Sequence, residues 1–198
     1  MGLDWQCIAV PLDAEPVRVI RADAVRWEEA DLHPPFTEAE SGGSLPEISR
    51  ALLAALPAGA GWIAHFGSRS YEQAEYLLDP AAFRVIRGWE DRERSLPYRI
   101  IQGDTVFAPH AQGGQGPLWR CSTKSFIADA VQHIDALDVA AVRAQFTVAE
   151  MVDLGVYKVH PSERDDDTFA GVLADLRAFA DTCRQAVASE LDLIITLW

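Results

Sequence analysis

The chain is short of cysteine and of basic residues, and each shortage excludes something. Its three cysteines, Cys7, Cys121 and Cys183, stand far apart with no Cys-x-x-Cys spacing. An odd count without paired spacing excludes a disulfide framework and a cysteine-based zinc site. Lys and Arg number 17 against 30 Asp and Glu, giving a formal net charge of −13 and a pI near 4.7. Non-specific binding to nucleic acid or to an anionic membrane needs surplus positive charge, so neither partner is expected. No apolar run approaches the ~20 residues that span a bilayer. The opening Met1-Gly-Leu-Asp-Trp-Gln has no basic segment followed by an apolar core, so no secretory leader is read. The expected setting is the reducing cytoplasm.

Compact catalytic motifs are missing too. There is no Gly-x-Ser-x-Gly nucleophile elbow. Ala111-Gln-Gly-Gly-Gln-Gly-Pro117 is glycine-rich, but a phosphate loop ends in Gly-Lys-Ser/Thr and this one ends in Gly-Pro. The five histidines, His33, His65, His110, His133 and His160, show no short ligand spacing. No cofactor and no metal is expected.

What is present is a globular pattern. An apolar fraction of 49% over 198 residues suits one domain, 1–198, with its own core. Trp5 to Leu12 reads as a first strand buried on both faces. Val17, Ile20, Ala24 and Trp27 repeat three or four apart, which predicts a helix from Glu15 to Ala30. Ser44-Leu-Pro-Glu47 has capping-box form ahead of a helix carrying Ile48, Leu52 and Leu56. Trp62 to Phe66 has strand length between glycines. Ser70-Tyr-Glu-Gln73 predicts another capped helix, and Asp79-Pro80 an N-cap with proline at the first helical position. Asp91 to Arg94 reads as a solvated charged turn. Tyr98–Gln102 and Thr105–Ala108 flank Gly103-Asp104, which predicts a hairpin with a glycine-first turn.

The C-terminal part carries the clearest signal. Thr123 is an N-cap for a helix with Ile127, Val131, Ile134 and Leu137 on one stripe. Thr147-Val-Ala-Glu150 is a further capping box, and Gly155 stands where a left-handed helix end belongs. Acids Asp165 to Asp167 open a long helix whose Phe169, Val172, Leu173, Leu176, Ala180, Cys183 and Val187 form a core face. Leu191 to Trp198 is apolar on both faces and reads as an interior strand.

These residues resemble the YfbM-like family of small uncharacterised bacterial proteins. The carriers are Ile134-Asp-Ala-Leu-Asp138, Arg143-Ala-Gln145-Phe146, Met151, Gly155-Val156-Tyr157, Glu163, Phe169, Leu176, Ala186 and the strand from Leu191. The resemblance runs from about Ile134 to Leu197. It implies an α/β fold: one three-layer α-β-α domain with a mixed sheet. It implies no activity, since the family is a domain of unknown function. The 98–118 hairpin and glycine-rich loop are read as elaborations of this protein.

Two functions follow from the residues. One is a non-catalytic, acidic protein-binding domain with a basic partner, its contact surface including Trp119 and Arg120 between the glycine-rich loop and a helix start. Trp and Arg are enriched at binding hot spots. The other is a small hydrolase or transferase whose site assembles only in the fold, with His65, Cys121 and Tyr157 as candidate catalytic groups. A pocket that brings these groups together would favour the enzyme, and an exposed apolar patch the binder.

Overall fold

The computed structural model describes residues 5–22, 54, 63–67, 70–107 and 118–197. Strand β1 (Trp5–Val10) is followed by α1 (Glu15–Ala22) and β2 (Ile63–His65). Four short helices come next: α2 (Tyr71–Leu78), α3 (Pro80–Val85), α4 (Trp89–Arg94) and α5 (Leu96–Gln102). After β3 (Thr105–Val106) and β4 (Leu118–Ser122) the chain forms α6 (Lys124–Asp135), α7 (Val139–Gln145) and α8 (Val148–Asp153). The long α9 (Asp165–Ala188) and β5 (Asp192–Leu197) close it. Apart from Ala54, which is helical, the expected helix from Ser44 lies outside the described residues, as does the Ala111–Pro117 loop.

The strands form one sheet in the order β2-β1-β5-β4-β3, and every pairing is antiparallel. The expectation of a mixed sheet is corrected. A parallel pair needs a crossover that returns to the end of the sheet where it began. Here Ser122 at the end of β4 sits opposite Leu193 at the start of β5, so the intervening helices bring the chain back beside the point where it left. The interior place of β5 holds, since it bonds to β1 on one side and β4 on the other.

Alternation explains why both strand faces are apolar. Trp5, Cys7, Ala9, Leu193, Ile195 and Leu197 belong to a core cluster with Phe169, Val172, Leu176 and Cys183 of α9 and Ala74 and Leu77 of α2. Trp5 seals it, its ring edge-on to Phe66 at 4.7 Å and to Phe179 at 5.5 Å. Ile8, Val10, Cys121 and Ile194 face the other way and are also buried, as is Val17 of α1. Asp192 ties the frame at the entry to β5. Its two oxygens accept from the backbone N–H of Leu12 (2.9 Å) and of Lys124 (2.8 Å).

Several caps read from local chemistry are present. Asp79 accepts from Ala82 N, Thr123 from Phe126 N and Thr147 from Glu150 N. Ser70 occupies its N-cap position, but its hydroxyl makes no cap bond and turns to Asp175 instead. Two expectations between Asp91 and Asp104 fail. Asp91 to Arg94 lies within α4, and Tyr98–Gln102 is helical, so the first strand of the predicted hairpin does not form. Ser95 caps α5, Pro97 sits in its first turn, and Gly103 ends it with φ 102°. A Cβ at Gly103 would also lie 2.8 Å from Arg120 Cβ, so conformation and space both demand glycine there.

Candidate functional site

Glu72 and Glu75 are three residues apart on α2 and share a side of that helix. Helix α4 lays Arg92 against both. Arg92 Nε and Nη2 donate to the two oxygens of Glu75 at 3.0 and 3.1 Å, and Nη1 donates to Glu72 Oε1 at 2.9 Å. Gln102 Nε2 adds a further bond to Glu75 Oε1 at 2.8 Å, and the backbone N–H of Tyr157 donates to Glu72 Oε2 at 2.8 Å. The Glu75 side chain is 1% exposed.

Burial dominates the electrostatics. It disfavours the Glu75 anion and lifts its pKa to about 7, against the donors from Arg92 and Gln102. Burial also opposes the Arg92 charge, but two carboxylates outweigh it and the guanidinium pKa rises. The asymmetry has a plain cause: Arg92 has two anions, whereas Glu75 shares its one cation with Glu72. The guanidinium further lies 5.8 Å from the Phe83 ring, 5.7 Å from Trp89 and 5.8 Å from Tyr98, within cation–π range of all three.

Above this cluster runs a groove of about 260 Å³. Phe83, Ile86, Trp89 and Leu154 form its apolar walls, and Glu72 and Arg92 its polar floor. Trp89 is 49% exposed and Leu154 37%. Val85, beside Ile86 at the end of α3, is 65% exposed. Gly155, with φ 71°, ends α8 just after Leu154 and so holds that side chain at the rim. Large side chains this exposed and this close together mark a contact surface more than scattered surface apolars do.

The residues singled out from sequence lie elsewhere. Trp119 and Arg120, expected at a recognition surface, are in β4 and are only 7% and 8% exposed. Trp119 packs beside Phe107, their rings 6.3 Å apart, and a position flanking a loop does not by itself expose a strand residue. Arg120 Nε donates to Gly103 O at 3.0 Å, Nη1 to Glu93 at 3.3 Å, and the guanidinium lies 5.1 Å from the Tyr98 ring. It is a strut between β4 and the α4–α5 region.

The three candidate catalytic groups do not assemble. Cys121 shares a row with Ile194, Ile8 and Ile63 across four strands, so His65 in β2 is at least about 14 Å of strand spacing away. Cys121 is buried, which raises its thiol pKa, and its sulfur lies 3.3 Å from Thr105 Oγ1. Tyr157 packs with Tyr71 (rings 5.6 Å apart) against the cluster on the opposite face of the sheet. Among the described residues no group of three His, Cys, Asp or Glu is placed to hold a metal ion. No helix of the described residues is long and apolar enough to cross a membrane.

No protein-family model matches the chain, and no curated protein does. Its fold is similar to that of YfbM from Escherichia coli, a protein of unknown function. The two superpose with a TM-score of 0.64 over 98% of this chain and 99% of that one, at 9% sequence identity. At that identity the likeness is one of fold. As fold it extends over nearly the whole chain, well beyond the Ile134–Leu197 stretch from which a resemblance is expected.

Proposed function

We propose that this chain acts by binding a protein, and that a basic segment of the partner docks in the Trp89 groove. The observation that carries the reading is Trp89 itself: a half-exposed indole beside Leu154, over a floor made rigid by a buried ion cluster. Trp is the residue most enriched at interface hot spots, and a pre-ordered floor lowers the entropic cost of docking. The charge of the occupant follows from the surroundings. Glu72, Arg92 and a Glu75 that titrates near neutrality sum to between zero and one negative charge, exposed Glu90, Asp91 and Asp153 lie nearby in the chain with Arg87 and Arg94 among them, and the whole protein carries −13. Such a field steers positive partners in and turns acidic ones away. The fitting ligand is a short peptide with one large apolar side chain flanked by Lys or Arg. The same reading takes the chain as a single three-layer cytoplasmic domain, supported by α1 on one side of the sheet and α2 and α9 on the other.

Selection of displayed peptides against the whole chain tests this. Enriched sequences should carry an apolar anchor with basic neighbours, bind more weakly as salt rises, and lose binding to Trp89→Ala. Peptides that bind Trp89→Ala as well as the parent, or a selection that enriches acidic sequences, would overturn it.

A further inference from the structure

We propose that a second site, a cleft between α9, the 158–164 loop and the start of α2, binds a small zwitterion of the amino-acid class. It is separate from the Trp89 groove and does not rest on the reading of that groove.

The cleft is about 680 Å³, within the range of small-molecule sites. Helix α9 lines it with Asp167, Gly171, Ala174 and Asp175, whose spacing puts them on one face. Gly171 is informative. A glycine inside a helix weakens it, and a Cβ here would meet nothing within 4 Å. The residue therefore relieves no close contact; it leaves the floor of the cleft open. Two buried polar side chains brace the walls. Ser70 Oγ donates to Asp175 Oδ2 at 2.8 Å, and Gln73 Nε2 donates to the Lys158 carbonyl at 3.3 Å; both residues are 4% exposed. Lys158 is held with φ 58°, a conformation that non-glycine residues adopt at a cost and that recurs at binding sites.

The charges decide the ligand class. Glu163 is engaged by Thr168 Oγ1 and His160 N, each at 3.0 Å, and Arg164 lies 3.5 Å from Asp167. Two lining charges remain. Asp175 receives the Ser70 hydroxyl and Lys158 lies 5.7 Å from the Tyr157 ring, and neither makes an ion pair among the described residues. One wall thus offers a carboxylate, which among the described residues accepts only the Ser70 hydroxyl, and the rim offers an ammonium. A ligand with one charge would engage only one of the two. A ligand with an ammonium for Asp175 and a carboxylate for Lys158 answers both, with Arg164 beside it. A divalent cation does not suit the cleft, because no three ligating side chains converge there among the described residues.

The test is thermal melting of the whole chain with each standard amino acid, with putrescine as an amine alone and with acetate as a carboxylate alone, followed by calorimetry. At least one amino acid should raise the melting temperature, as any ligand specific to the folded state must. Putrescine and acetate should not. Lys158→Gln should weaken that amino acid about tenfold, the loss of one charged contact. Gly171→Leu should melt at or above the parent, since a good helix former replaces glycine, yet lose the response because its side chain fills the cleft. The proposal is overturned if no amino acid shifts the melt, if putrescine or acetate shifts it equally, or if Gly171→Leu responds like the parent. Should Gly171→Leu itself melt early, unchanged binding by Lys158→Gln is the overturning result.

Discussion

Neighbouring residues of α2 open on two arginine–carboxylate clusters built from nearly the same parts. Glu75 takes Nε and Nη2 of Arg92 and the amide of Gln102. Glu150, reached by the hydroxyl of Tyr76, takes Nε and Nη2 of Arg84 at 2.5 and 2.8 Å. The donor sets match, yet the carboxyl pKa values move in opposite directions: Glu75 up to about 7, Glu150 down to about 2. The difference is solvent. The Glu75 side chain is 1% exposed and that of Glu150 is 29%. Burial charges Glu75 a desolvation cost that its donors do not cancel, whereas the Arg84 hydrogen bond outweighs a small cost at Glu150. A hydrogen-bond list alone would rank the two clusters as equals. Their worth to the fold differs because only one of them becomes intolerable when half of it is removed.

The largest expected effect breaks the buried member. Arg92→Met leaves Glu75 in the core without a cation and should cost about 3–5 kcal/mol in urea unfolding above about pH 8, where the parent's Glu75 is charged. Arg84→Met removes the same type of contact at the rim, where water replaces it, and should cost far less. The Arg92→Met loss should also shrink on acidification, because a protonated Glu75 no longer needs a guanidinium. Equal losses for the two variants would show that burial is not what separates the clusters.

Titration sharpens the comparison with a smaller effect. The folded chain holds the Glu75 proton more tightly than the unfolded chain, whose carboxyl has the ordinary value of 4.5. Stability from Glu75 therefore rises as pH falls from about 7 to about 4.5, by up to about 3 kcal/mol, and is lost on going back up. Glu150 runs the other way. Its stabilisation is complete above about 4.5 and disappears as pH falls towards 2. Urea midpoints across this range should pass through a maximum, and Glu75→Gln should flatten the upper limb alone. An upper limb that survives Glu75→Gln unchanged would assign it to another group.

How much of this was legible follows from how local each signal is. The core face of α9, the interior strand β5 and the caps Asp79, Thr123 and Thr147 depend on residues a few positions apart, and all could be read. Tyr98–Gln102 was ambiguous because a short apolar run suits a strand or a buried helix. The decisive signals lay just outside it, in Ser95 as cap, Pro97 in the first turn and Gly103 at the end. The groove was not legible. Glu75 and Arg92 are 17 residues apart, and Tyr157 joins Glu72 across 85. No motif links them, and Arg92 sits in a charged run that reads as solvated surface. The same blindness hid the burial of Trp119: a flanking loop is visible in sequence, but the packing around that strand position is not.

The smallest expected change in stability belongs to Trp89, and it is the most informative about function. Its indole meets Tyr98 edge-on at 5.6 Å and lies 5.7 Å from the Arg92 guanidinium, but half of it faces solvent. Truncation to Ala forfeits one partial cation–π contact and some apolar burial, together about 1 kcal/mol or less. Arg92 keeps its carboxylates, so the buried cluster should stand. The binding loss should be larger than the folding loss, at 2 kcal/mol or more for a hot-spot indole, which is about a thirtyfold weaker peptide complex. The ratio of the two effects separates the possible roles of this side chain. If Trp89→Ala costs several kcal/mol of folding free energy, approaching Arg92→Met, then the indole is a lid that keeps water from the Glu75–Arg92 pair, and its exposure is incidental. If folding is nearly untouched and binding collapses, the fold is presenting Trp89 outward at no structural need of its own, and the buried arginine below it serves as the rigid seat from which it makes contact.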